Sequence, residues 1–496
     1  MLNQTLLDQE INTKLTLLSL LYRKNDWYLM EELIVDSSLD RNTVSKYIHL
    51  LKEEIPQLSP VNPPVSIIYS KARGLRFVGD KIAYQSLIST YVDKSIGVAL
   101  LKDLLILGQV SIDQFNTQHF VSESSVRRKI SQLNKLFLPH SFSIRTSRRQ
   151  IFLLGDELQI RYYGYIFFWE LYKGLVWPFP HIDEHRILEF IDREFKPLVP
   201  LKKISILHWS YIIALNIARF IKNNSVNQTD LPSYSNSLNQ ALKFEGSSLK
   251  RRLMTKFSFS EPETDYLFLL FQTGVRIFQI DFFFDRCINF HKQENTEVYQ
   301  MFQLYFSTFD PDFSLIGQRD QNLYKYLILS TFTTVSLFPN FSTTLSGYDY
   351  LGHLDDNYPS LHTKIEEKID QMRCFSSSTL LDNKNFLTIR FCEAYALIGN
   401  LTDFDSVIQI KLETDLPIIM ERILSKQLFS ILSPFHNIKF IPPTDFVRSS
   451  EIDLVIASTL LSKVTDSKES PIIFIHPDLQ LSDITSIVAA LENLKK

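Results

Sequence analysis

Seven cationic side chains fall between positions 121 and 150: Arg127, Arg128, Lys129, Lys135, Arg145, Arg148 and Arg149. A single carboxylate, Glu123, opposes them. Such a local excess of positive charge is what displaces condensed counterions from a phosphate backbone. The whole-chain charge of −3 hides it, because residues 1–160 hold 19 Lys and Arg against 16 Asp and Glu while the remainder holds 33 against 39. Other chemistry has no visible seat. With only 13 glycines, neither a phosphate-cradling loop nor a dinucleotide fingerprint is present, and there is no nucleophile elbow. The stretch His181 to His185 matches the H-x-x-E-H spacing of inverted zinc peptidases, with Glu184 as the would-be base. A five-residue match recurs by chance, and Trp177, Pro178 and Pro180 before it mark a loop entering a helix. The residues therefore predict no enzyme, no metal and no cofactor.

The elements that would position the basic cluster occur twice, 82 residues apart. Met30, Leu33, Leu39, Val44, Ile48, Leu51 and Ile55 fall in register on Ile112, Phe115, Val121, Val126, Ile130, Leu133 and Phe137. The last four of each set are spaced 4, 3 and 4, the stripe of an amphipathic helix. Asp40 and Ser122 are suited to cap these helices by accepting from the orphan N–H groups of the first turn, and Leu39–Val44 and Val121–Val126 occupy hydrophobic-staple positions. Shorter apolar helices, Tyr28 to Val35 and Ser111 to Gln118, precede them. A short helix, a turn and a capped helix together make a helix-turn-helix.

The solvent faces of the two capped helices carry Arg41, Asn42, Thr43, Ser45, Lys46 and His49 in the first copy. The second carries Ser124, Ser125, Arg127, Arg128, Ser131 and Gln132. Short hydroxyl and amide groups followed by cations suit phosphate anchoring and base-edge contact in a major groove. A hairpin wing is expected after each helix. In the first, Val65 to Tyr69 and Leu75 to Val78 flank a turn with Lys71, Arg73 and Gly74. In the second, Phe142 to Arg145 and Ile151 to Leu154 flank Thr146 to Gln150, with Arg148 and Arg149 at the tip. Arg145 lies on the approach to that tip, and basic wings can reach a minor groove or the backbone.

In the segment VSESSVRRKISQLNKLF…IRTSRRQIFLLGDELQIR the chain resembles the second winged helix of the Mga/AtxA family of virulence regulators from Gram-positive bacteria. The resemblance extends along essentially the whole chain. It implies a mainly α, multidomain protein: two winged helix-turn-helix domains (1–88 and 89–160), two all-helical domains like the phosphotransferase-system regulation domain (161–285 and 286–400), and a small α/β domain like sugar-transport enzyme IIB (401–496). It also implies promoter binding as a dimer or higher oligomer, mostly in activation. The expected partners are double-stranded DNA, A·T-rich or curved, the phosphocarrier protein of the phosphotransferase system, and RNA polymerase.

Residues 161–400 carry Phe, Tyr, Leu and Ile at helical spacing. There Leu207, Tyr211, Leu215 and Ala218 form one stripe, with His208 beside it and Arg219 eleven residues later. His208 resembles the first phosphorylatable histidine of regulation domains. The second is absent, because Leu269, Leu270 and Phe271 stand where it belongs. His353 is a further candidate, next to Asp355 and Asp356. From Asp403 the pattern alternates: Val407 to Ile410, Leu454 to Ile456 and Ile472 to Ile475 read as buried strands, and Pro417 to Leu432 and Leu481 to Leu494 as helices, predicting a small parallel α/β domain. Lys411 to Asp415 stand where an active enzyme IIB has its phosphocysteine, so this domain is expected to serve oligomerisation or protein contact.

A chain of 496 residues with 45% hydrophobic and 22% charged residues is globular and multidomain. The N-terminus lacks the pattern of a signal peptide. The most apolar stretch, Tyr211 to Ile221, is interrupted by Asn216 and Arg219. Cys287, Cys374 and Cys392 show no pairing pattern. Together these predict a cytoplasmic protein with no membrane span. Two other readings stay open: an RNA-binding antiterminator, and a phosphotransferase-system-linked interaction protein.

Overall fold

The computed structural model describes residues 4–58, 65–196, 201–235, 238, 247–280, 283–309, 316–348, 350–442, 452–459, 470–476 and 478–494. The chain divides into two compact units, one of residues 1–294 with 333–348, the other of 295–332 with 349–496.

The first unit begins with α1 (Gln9–Lys24), α2 (Met30–Ser37) and α3 (Arg41–Leu58), then the hairpin β1 (Ser66–Ser70) and β2 (Gly74–Val78). Val44, Ile48, Leu51 and Ile55 of α3 are all buried, as is Leu33 of α2, so the 3.6-residue period turns one face of each helix to a shared core. Asp40 caps α3, accepting from the Thr43 amide at 3.0 Å and its hydroxyl at 2.6 Å. The wing is held to the helices by a β-bridge in which Leu75 N–H donates to Tyr28 C=O at 2.8 Å. Gly74, at φ +90°, makes that bridge possible: a Cβ there would lie 2.2 Å from the Tyr28 carbonyl oxygen.

After the connecting helix α4 (Lys81–Asp93) the plan repeats. It runs α5 (Ile96–Leu107), β3 (Gln109–Ser111), α6 (Ile112–His119), α7 (Glu123–Phe137), β4 (Phe142–Ser147) and β5 (Gln150–Gly155), with sheet order β3-β5-β4. Ile112, Phe115, Val126, Ile130, Leu133 and Phe137 are buried, as their counterparts in the first copy require. Ser122 caps α7 by accepting from the Ser125 amide at 3.2 Å.

The rest of this unit is helical: α8 (Glu157–Tyr172), α9 (Glu184–Glu194), α10 (Lys203–Ile221), α11 (Ser247–Phe257), α12 (Glu261–Gln272) and α13 (Phe283–Gln293). A buried polar cluster joins them. Arg161 donates to both oxygens of Glu263 (2.5 and 2.8 Å), to Asn216 Oδ1 (2.6 Å), to Glu157 (2.9 Å) and to the Asn224 carbonyl (2.7 Å). Arg219 takes both oxygens of Glu157 (2.9 and 2.7 Å) and reaches the Leu104 carbonyl of α5 at 3.2 Å. Two guanidiniums and two carboxylates thus neutralise one another away from water. In contrast to the sequence reading, α10 as a whole is long and apolar enough to cross a membrane. Its 19 residues include Asn216 and Arg219, both buried in this cluster, and it is a core helix here.

His208, on α10, packs its ring on Trp169 at 4.5 Å between centroids. Its Nε2 is sealed from solvent without a hydrogen-bond partner, and burial pushes its pKa down to about 4.

The second unit starts with α14 (Glu297–Phe309) and the part of α15 (Gln318–Leu337) up to Phe332, and continues with α16 (Leu351–Asn357), α17 (Pro359–Phe375) and α18 (Lys384–Tyr395). The Tyr305 and Tyr324 hydroxyls meet at 2.6 Å, and Arg390 of α18 donates to the Ser330 and Thr331 hydroxyls of α15 at 3.2 and 3.3 Å. The chain then forms β6 (Ile408–Glu413), α19 (Ile418–Leu432), β7 (Ile438–Phe440), β8 (Leu454–Ala457), β9 (Ile472–Phe474) and α20 (Leu481–Leu494). The sheet is parallel, in order β7-β6-β8-β9, and packs Ile410, Leu428, Leu432, Leu454, Ile456, Ile487 and Leu491 into one core. Two details differ from the sequence reading. Lys411 to Glu413 belong to the first strand and the loop begins at Thr414, whose hydroxyl donates to Glu421 at 2.6 Å. The three-residue β7 has too little pattern to be read in advance.

Two predictions follow from the buried groups. Glu263→Leu strands the Arg161 guanidinium and should cost about 3–5 kcal/mol in urea denaturation, whereas Arg161→Met combined with Glu263→Leu should cost less than that single change. His208 stays neutral in the folded chain down to about pH 4 but takes a proton near pH 6.5 when unfolded. Stability should therefore fall as pH drops through that window. The urea midpoint of His208→Gln should fall less between pH 7 and pH 5 than that of the wild type.

Candidate nucleic-acid interface

Helix α7 presents Ser124, Arg128, Ser131, Gln132 and Lys135 to solvent because the opposite stripe is committed to the core. Between α7 and the wing runs a groove of about 410 Å³ lined by Arg127, Ile130, Ser131, Asn134, Lys135, Leu138 and Thr146. Asn134 sets its width. Its side-chain amide donates to the Ile144 carbonyl at 2.9 Å and its Oδ1 accepts from the Ile144 amide at 2.6 Å, so the wing strand is fastened to the helix by two bonds.

The cations of this module divide into paired and unpaired. Arg127 binds Glu123 at 2.6 and 2.8 Å. Arg149 binds Asp113 at 2.7 Å through Nε and reaches Glu123 at 3.4 Å. The arginine bonds hold the carboxyls of Asp113 and Glu123 below the usual carboxylate range. Arg128, Arg145 and Arg148 are exposed and, among the described residues, have no carboxylate partner. Lys129 departs from the basic face altogether. It is buried, with its ammonium bonded to the Leu7 carbonyl at 3.0 Å and Asp8 at 2.9 Å. The wing turn is tighter than its sequence suggested: Ser147 pairs with Gln150, leaving only Arg148 and Arg149 between the strands, at φ +48° and +63°.

In the first module Arg41, Asn42, Ser45, Lys46 and His49 are exposed on α3, and Thr43 is half-buried by its bond to Asp40. Arg41 lies 3.6 Å from Glu31 and His49 3.3 Å from Glu53. Lys46 sits over the Tyr47 ring and Arg73, beyond Lys71 in the wing turn, over Trp27 at 4.5 Å. Ser124 and Ser125 both hydrogen-bond the capping Ser122 hydroxyl at 2.9 Å. The structure therefore brings the sequence-selected residues onto two helices and two wings, with the second module the more cationic. Asn134 escaped sequence reading because an Asn inside an amphipathic helix looks like any solvent-side residue. Lys129 was legible in principle, since it lies on the same stripe as Val126 and Leu133.

The remaining candidates are separate. Helix α9 starts at Glu184 with Asp183 as its cap, accepting from the Arg186 amide at 3.3 Å. His181 thus lies outside the helix that carries His185, and among the described residues no cluster of His, Cys, Asp and Glu could hold a metal. His353 is on the short helix α16, and its side chain, like those of Asp355 and Asp356, lies outside the described residues.

Comparison with known proteins matches residues 80–170 to the Mga helix-turn-helix domain. The chain is 23% identical over 287 residues to a trans-acting regulator of Streptococcus pneumoniae, covering 57% of this chain and 55% of the relative. It is 22% identical over 276 residues to the anthrax toxin expression trans-acting positive regulator of Bacillus anthracis, covering 54% and 55%. It is 20% identical over 187 residues to the capsule synthesis positive regulator AcpA of the same organism, covering 38% and 37%. The aligned region thus spans about half the length of the first two relatives. Residues 80–170 thus match the Mga helix-turn-helix domain, and over about half its length the chain is similar to these trans-acting regulators.

Proposed function

We propose that the chain is a transcription regulator of the cytoplasm, mostly an activator, that grips promoter DNA with both winged helices. The observation that carries this reading is the duplicated, capped and winged helix whose second copy leaves Arg128, Arg145 and Arg148 unpaired beside a groove lined by Arg127 and Lys135. Helices α3 and α7 enter successive major-groove segments, and the wings take the flanking backbone. Most of the available groups anchor phosphates, so binding is strongly salt-dependent and DNA shape, A·T-rich curvature above all, contributes to selection.

The helical middle plays the part of regulation domains, and the parallel α/β domain that of an enzyme IIB lacking its cysteine. Two features support control through these parts. His208 is held neutral by burial, the protonation state that accepts a phosphoryl group from a phosphocarrier, and its sealed Nε2 means that transfer requires the Trp169 contact to open. Helix α19 exposes Ile418, Ile419, Met420, Ile423 and Phe429, an apolar face suited to joining copies into a dimer or higher oligomer or to meeting RNA polymerase. His353 is a second site for phosphorylation.

A gel shift tests the reading. The full chain should retard an A·T-rich duplex at low salt, and retardation of single-stranded RNA alone would instead indicate an antiterminator. Arg128→Ala combined with Arg148→Ala should weaken binding to all duplexes and lower the slope of log affinity against log salt by about two. An unchanged slope would place both residues away from the phosphates.

A further inference from the structure

We infer that the two winged helices meet one duplex as a single rigid body at fixed spacing and helical phase, and that Lys129 is the positioning residue that sets this geometry. The inference rests on the proposed duplex binding and goes beyond it. A tandem pair could as well be two independent grips on a tether. The segment before α1 decides between these arrangements.

Residues 5–8 belong to the first module but are fastened to the second at three points. The Lys129 ammonium, on the inner face of recognition helix α7, bonds the Leu7 carbonyl at 3.0 Å and Asp8 Oδ1 at 2.9 Å. The other Asp8 oxygen accepts from the Ile96 amide at 2.9 Å, at the start of α5. Ser95 Oγ receives the Asp8 amide at 2.9 Å and donates to the Leu6 carbonyl at 3.0 Å. Gly97 closes the joint, because a Cβ there would stand 2.4 Å from the Leu6 oxygen. Lys129 supplies the buried positive charge of this seam. A second tie starts from α1 itself. Lys14 binds Glu54 of α3 at 2.9 Å, and Glu54 accepts from the Tyr91 hydroxyl of the connecting helix α4 at 2.9 Å.

The cation that sequence counting would assign to DNA is thus spent on orientation. Its neighbour Arg128 faces solvent one residue before it, so α7 carries a DNA-side charge and a module-side charge at adjacent positions. Movement of α1 against α7 would break a buried charged bond, and the angle between the two recognition helices is set by that constraint. A rigid pair gains the full effective concentration of its second grip only when both sites are correctly phased.

Hydroxyl-radical footprinting of the full chain on a long A·T-rich duplex should show two protected patches at constant separation. Inserting five base pairs between them, about half a helical turn, should weaken wild-type binding about tenfold. Lys129→Met should lose that sensitivity, the original and inserted duplexes binding within about twofold of each other, while Lys129→Arg should retain it. Melting of each variant by circular dichroism establishes folding. If Lys129→Met does not fold, Asp8→Asn weakens the same seam from the other side and should lose the sensitivity likewise. Wild-type indifference to the insertion, a single protected patch, or undiminished sensitivity in the folded Lys129→Met or Asp8→Asn overturns the inference and leaves the proposed function standing. Failure of the wild type to bind any duplex overturns both.

Discussion

The buried exchange of charge among Arg161, Glu263, Glu157 and Arg219 is the constraint on which the first unit depends. A guanidinium in a low-dielectric interior is tolerable only while its partners stay in place, so each helix carrying one of these groups is obliged to hold its position. Arg219 also reaches the α5 carbonyl of Leu104, which extends the obligation from the helical middle into the second winged helix. A hydrophobic interface of similar size would have allowed sliding. This one allows few arrangements, so a displacement of α10 cannot be absorbed without disturbing α5. Such coupling requires an element with discrete packings.

The economy of charge in the second winged helix follows a similar logic. Asp113 and Glu123 stand among the arginines as internal counter-ions. They hold Arg127 and Arg149 in defined rotamers, so the side-chain entropy of these arginines is already restricted in the free chain. Arg128, Arg145 and Arg148, without a carboxylate partner among the described residues, leave this face with a net positive field.

Much of this was legible in the sequence, for identifiable reasons. The repeated 4-3-4 spacing and the capping residues Asp40 and Ser122 are local signals, and they marked where α3 and α7 begin. The strand-helix alternation after Asp403 likewise announced a parallel sheet. What could not be read depends on residues far apart in the chain. The seam between Lys129 and residues 5–8, the Asn134 tie to β4 and the Arg161–Glu263 pair join positions separated by about 10 to 124 residues, and no periodicity marks such partners. Counting charges also overstated the basic face, because burial of Lys129 and pairing of Arg127 and Arg149 are properties of the fold.

The wing tip carries a cost that bears on how this family of modules changes over time. A two-residue hairpin with both residues at positive φ is most easily made by Asn-Gly, and L-residues with long side chains pay roughly 1–2 kcal/mol each to adopt that conformation. The chain places Arg148 and Arg149 there instead. Folding stability is thereby exchanged for charge at the most outlying point of the module. Drift toward turn-forming residues would strengthen the fold while removing charge from the tip, so here stability and surface charge pull in opposite directions.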